Sequence, residues 1–81
     1  MLEKIKTAIE DTTTEAIASR TIYLKLFCGL ACKHSIASQK EVATFLGISP
    51  SRVGYYRKGH TNMLLVTEYK ELCKRVEKTI L

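Results

Sequence analysis

Apolar positions along this chain fall at helical spacing almost throughout. Leu2, Ile5 and Ile9 lie close to one face of a short first helix. Thr12, Thr13 and Thr14 then interrupt it, since three β-branched polar residues after Asp11 favour a turn or a cap. Thr12 with Glu15, or Thr14 alone, can start the next helix, predicted from about Glu15 to Cys32 with a break near Ser19. Within it Ile17, Leu24 and Cys28 share a face, joined by Leu30 and Ala31, while Ile22, Leu26 and Phe27 widen the stripe. A surface apolar on almost two sides suits a central helix, or one that also meets a second subunit. Gly29 weakens that helix by up to about 1 kcal/mol relative to Ala, and it marks a candidate close crossing. Thr21 to Phe27 is the one stretch β-branched and aromatic enough to suggest a strand, and it carries no convincing one.

After a polar connector from Lys33 to Ser38, the stretch Gln39 to Tyr56 reads as two short helices and a tight turn. Ser38 with Glu41 three residues on forms a capping box. Val42, Ala43 and Leu46 fall on one face. Gly47 ends the first helix, where a residue without Cβ can take positive φ. Ser49 and Pro50 restart the chain, one as a cap and the other at a helical position whose N–H is dispensable. Val53 and Tyr56 give the second helix its inward side. Helices this short do not stand alone. The small Ala43 leaves room for a close crossing, and Ile48 can plug the space under the turn.

Gly59-His60-Thr61-Asn62 reads as a stop and a restart. From Met63 onward the pattern is strongly helical. Leu65, Tyr69, Leu72 and Val76 are spaced four, three and four apart, with Ile80 beyond, which is a heptad-like seam. It is too short for an independent coiled coil. It can pack on the rest of the chain, pair with a second copy, or do both.

Charge separates the middle of the chain from its ends. Residues 1–32 carry four basic and four acidic groups, whereas residues 33–60 carry Lys33, Lys40, Arg52, Arg57 and Lys58 against Glu41 alone. Residues 61–81 set Lys70, Lys74, Arg75 and Lys78 against Glu68, Glu71 and Glu77. Most of the formal excess of +5 therefore falls in the region of the paired short helices, where an anionic partner would dock. The length of 81 residues suits one domain with a modest core, and 46% apolar residues exclude a disordered tail. There is no membrane-length apolar run and no secretory h-region, so a cytoplasmic location is expected.

The pattern Gln39, Ala43, Gly47, Val53 and Tyr56, with Ile48 just after the turn glycine, resembles the helix-turn-helix of phage repressors and Cro-like regulators. The likeness covers about twenty residues directly. Tyr56-Arg57-Lys58 and Met63-Leu64-Leu65-Val66 carry a looser likeness to the small phage activators of the CII type. The resemblance implies that the second helix enters the DNA major groove. On that basis Pro50, Ser51, Arg52, Gly54 and Tyr55 are the candidate base-reading positions. Pro50 departs from the polar residue common there and offers only apolar contact. Arg52 can pair with guanine or hold a phosphate. Gln39 takes the position that often bonds a phosphate in that family, and Lys40, Arg57 and Lys58 are further phosphate candidates. For each, the competing reading is a solvated helix surface.

Cys28, Cys32 and His34 are the one candidate metal cluster, but C-x3-C-x-H is not a usual zinc spacing and has no evident fourth ligand. An odd number of cysteines argues against a disulfide scaffold. Nothing resembles a nucleophile with its base, a phosphate loop or a paired-carboxylate site. The sequence thus predicts an all-α protein without cofactor, metal or enzymatic activity. It predicts a compact bundle of about five helices over 1–81, with a helix-turn-helix and an amphipathic helix over 63–80. The expected function is sequence-specific binding of double-stranded DNA in transcriptional regulation of phage or plasmid type, as a repressor or activator. A homodimer or higher homo-oligomer is expected, with Leu65, Tyr69, Leu72, Val76 and Ile80 as the first candidate interface and the first helix as the second. The alternatives are an accessory DNA-binding factor for replication, partition or recombination, and a helical protein-interaction module.

Overall fold

The triple threonine ends a helix and does not begin one. In the computed structural model, which describes residues 1–81, α1 runs Leu2–Thr13 and closes on Thr14 in the left-handed region (φ 60°, ψ 22°). The Thr13 hydroxyl donates back to the Ile9 carbonyl at 2.8 Å. The carboxylate of Glu10 accepts the Ile17 N–H at 3.1 Å and so holds a 3-10 turn, Ile17–Ser19, that drops Ile17 into the core. The predicted long helix is therefore split at Ser19, and α2 spans Thr21–His34. Three more helices follow: α3 (Gln39–Leu46), α4 (Pro50–Met63) and α5 (Thr67–Ile80). The fold is all-α and compact, with five α-helices. No helix is long and apolar enough to cross a membrane.

α2 is the central helix. Tyr23, Leu26, Phe27, Cys28, Gly29, Leu30 and Ala31 are all buried on it, which accounts for its two-sided apolar pattern. It packs most extensively against α4, while α1 lies between α2 and α5. Each fully buried Leu, Ile or Phe stabilises by about 1.5–3 kcal/mol, and Ile5, Ile9, Leu26, Phe27 and Leu30 are all sealed. Phe27 extends the core outward by stacking on the ring of Phe45, with centroids 5.5 Å apart. The Phe45 contact was not evident in the sequence, because Phe45 lies beside the Val42–Ala43–Leu46 face rather than on it.

Two expectations about the C-terminal third are corrected. The chain does not stop and restart at Gly59 to Asn62, because α4 continues through them to Met63. At Gly59 the aliphatic stem of Lys25 packs close over α4, its Cε 2.9 Å from where a Cβ would lie. Accordingly the last helix begins at Thr67 and not at Met63, and Leu65 lies in the turn, 89% exposed. The rest of the seam is used inside the chain. Tyr69, Val76 and Ile80 are buried together with Cys73, and Leu72 is half-buried. Ile5 and Ile9 of α1 are equally enclosed. These buried residues of both faces are already packed within one chain.

Candidate nucleic-acid interface

The α3–α4 pair is built by local chemistry. Ser38 Oγ accepts the Glu41 N–H at 3.1 Å, and the Glu41 carboxylate accepts the Ser38 N–H at 3.1 Å. Gly47 takes φ 71°, and its neighbours close the helix end, with Ile48 N–H on the Ala43 carbonyl at 3.0 Å and Gly47 N–H on Thr44 at 3.3 Å. No atom lies within 4 Å of a Cβ placed on Gly47, so glycine is required there by its backbone angle rather than by space. Ser49 Oγ accepts the Arg52 N–H at 3.3 Å, and Pro50 opens α4. Val53, Tyr56 and His60 face inward, and Met63 packs against the core behind them.

That inward register leaves Ser51, Tyr55, Lys58 and Asn62 on the opposite face, spaced four, three and four apart and all exposed. Tyr55 is 68% exposed. No acidic residue occurs between Pro50 and Met63, and both ion pairs of the chain lie elsewhere, on Glu77. Lys40, Arg52, Arg57 and Lys58 are exposed around this face.

Three predicted site residues have specific intramolecular partners. Arg52 lies back along α4, where its Nη2 donates to the Tyr56 hydroxyl at 2.9 Å. Gln39 crosses from α3 to α4, its Nε2 donating to the Pro50 carbonyl at 2.6 Å and its Oε1 accepting weakly from Arg57 at 3.5 Å. Gly54 sits beneath that amide, half-buried, with its hypothetical Cβ 3.2 Å from Gln39 Nε2. Gly54 thus provides the seat for the Gln39 amide. The loss of a side chain there lets α3 dock closely on α4.

No protein-family model, curated protein or solved structure matches this chain. Lys25, Thr61 and Asn62 join the cationic face, and sequence reasoning missed all three. Taking 59–62 as a break removed the last turn of α4. The signal that would have kept it is the inward spacing of Val53, Tyr56, His60 and Met63, three, four and three apart. Lys25 lies on α2, far in sequence from α4, and only the α2–α4 packing brings it beside Tyr55 and Asn62.

The remaining chemistry-bearing groups are tied up structurally. Burial pushes the Cys28 thiol up to about 12 and the Cys73 thiol up to about 11, which leaves both protonated and unreactive at neutral pH. Glu77 receives Lys33 at 2.9 Å and His34 at 2.6 Å, which fastens the end of α2 to α5. Cys28, Cys32 and His34 do not converge with each other, and no group of three His, Cys, Asp or Glu side chains is placed to hold a metal.

Proposed function

We propose that this chain binds double-stranded DNA as a helix-turn-helix protein, with α4 in the major groove and α3 across its start. The observation that carries the reading is the outward stripe Ser51, Tyr55, Lys58 and Asn62 on a helix with no acidic residue, flanked by Lys40, Arg52 and Arg57. A helix presenting hydroxyls, an amide and cations, without carboxylates, is chemically matched to base edges bordered by phosphates. Ser51 and Tyr55 are the base-reading residues of this proposal, near the start of α4. Arg52, braced by Tyr56, lies to one side of that stripe and is better placed for a phosphate than for a guanine. Lys40, Arg57 and Lys58 supply further backbone contacts and the salt dependence that goes with them. Gln39 acts by joining α3 to α4.

One copy reads few base pairs, so the reading includes two copies on half-sites about one DNA turn apart. The regulatory effect follows from occupancy, repression or activation depending on where the site lies relative to a promoter. The test is selection of bound sites from random duplex DNA at two salt concentrations. A paired motif, lost when Ser51 and Tyr55 are both replaced by Ala in a folded protein, is the expected result. Binding without an enriched sequence, or binding indifferent to those two changes, overturns the assignment of α4.

A further inference from the structure

α2 and α4 cross at Gly29 with the His60 ring laid against a residue that has no side chain, and a cleft opens beside the crossing. Its volume is about 240 Å³, below the roughly 300–1,000 Å³ typical of drug-sized ligands. Arg57, Lys58 and Thr61 rim it, Cys32 closes one side, and the ring of His60 forms part of its wall over Gly29. No carboxylate and no aliphatic side chain lines it. Arg57 has only the long contact to Gln39, Lys58 has no ion-pair partner, and the Thr61 hydroxyl makes only a 3.3 Å bond to its own helix.

His60 gives the cleft a ring held in place by Tyr69. Its side chain is 9% exposed, and Nδ1 is 2.6 Å from the Tyr69 hydroxyl. That hydroxyl has no other partner, and burial holds its proton more firmly than in an ordinary tyrosine. A Tyr69 hydroxyl that donates to Nδ1 places the imidazole proton on Nε2. Nε2 makes no hydrogen bond within the chain, and it is not sealed from solvent. Two cations, a hydroxyl and the His60 ring thus line one small acid-free cleft.

We infer that this cleft is a binding site for a single phosphate group, held by Arg57 and Lys58 with the Nε2–H of His60 as a directional donor. Arg57 supplies the planar fork suited to phosphate oxygens and Lys58 a point charge. The cleft itself does not rest on the DNA-binding reading. Only the source of the phosphate does, whether a DNA backbone phosphate at the flank of α4 or a small phosphorylated molecule.

The test is titration of the isotope-labelled full chain with inorganic phosphate at constant ionic strength, read from the His60 ring nitrogens and the backbone amides. Saturable shifts at His60 Nε2, Gly29 and Thr61 are expected. Affinity should fall about tenfold in Arg57→Gln and be lost when Lys58→Gln is added. Both residues are exposed, so the fold survives these changes. Shifts that never saturate, that spread to the lysines of α5, or that persist unchanged in the double variant overturn the site. Adding duplex DNA then assigns the source, because displacement of phosphate identifies the backbone and simultaneous binding identifies a free phosphorylated molecule. A phosphate site that survives in a protein with no DNA affinity overturns the DNA reading alone. DNA selection that succeeds without saturable phosphate binding overturns the cleft alone.

Discussion

The imidazole of His60 stands where any side chain at position 29 would have to go. A Cβ built on Gly29 would fall 2.1 Å from His60 Cγ and 2.2 Å from Cδ2. Those are rigid ring atoms held by the Tyr69 hydroxyl, so the ring has no easy retreat. Gly29 is thus what lets α2 and α4 approach, and that approach sets how α4 is presented.

Gly29→Ala should destabilise the fold. Helix propensity favours Ala by about 1 kcal/mol, but the overlap costs about 1–3 kcal/mol and displaces the Tyr69 bond as well. Denaturant unfolding is expected to give a net loss of about 2 kcal/mol. In a His60→Ala background the same Gly29→Ala change should be neutral or stabilising. A double-mutant cycle with no coupling would mean that the crossing is looser than described.

Gly54→Ala should behave differently. Its new methyl meets the end of a flexible side chain, Gln39, at 3.2 Å. The helix gains by roughly 1 kcal/mol while one exposed hydrogen bond to Pro50 is weakened. Thermal unfolding should show stability unchanged or slightly raised. DNA affinity should fall severalfold, because α3 and α4 no longer lock at the proposed reading end.

Acid should weaken the fold in two separable steps. Burial holds the His60 imidazole below its ordinary value of 6.5, with the charge of Lys33 adding to the effect and that of Glu77 opposing it. As pH falls through about 6.5, the unfolded chain takes up a proton that the folded chain resists. Stability therefore drops, by at most about 1.4 kcal/mol per pH unit, until the folded imidazole is itself protonated. Burial raises the carboxyl of Glu77, but the hydrogen bonds and charges of Lys33 and His34 outweigh it and leave it below its ordinary 4.5. Its contribution is complete above about 4.5 and is lost as pH falls through the lower folded value. Urea midpoints measured against pH should lose the first step in His60→Gln and the second in Glu77→Gln.

Val76→Ala should act on the fold rather than on an interface. Val76 is fully enclosed within the chain, so truncation removes buried methyls and leaves a cavity, at a cost of about 1–3 kcal/mol. Unfolding measurements should show that loss at every protein concentration. A change confined to self-association, with monomer stability intact, would return α5 to the surface of a dimer.

The sequence by itself determined what depends on near neighbours. The Ser38–Glu41 box, the left-handed Gly47 and the Ser49–Pro50 start of α4 each involve residues no more than a few positions apart, so their hydrogen bonds and backbone angles are written locally. The two-sided stripe of α2 likewise announced a central helix, because an element apolar all round has to be enclosed. Tertiary structure decided which partner each face meets. Nothing local shows that Lys25 would cover Gly59, so a glycine beside a histidine read as a helix end when it is a point of close packing. The heptad spacing of α5 is the same whether it meets α1 in one chain or its copy in another, and periodicity carries no label for the partner. The Tyr69–His60 bond joins α5 to α4 beside a crossing that is this close because position 29 lacks a side chain.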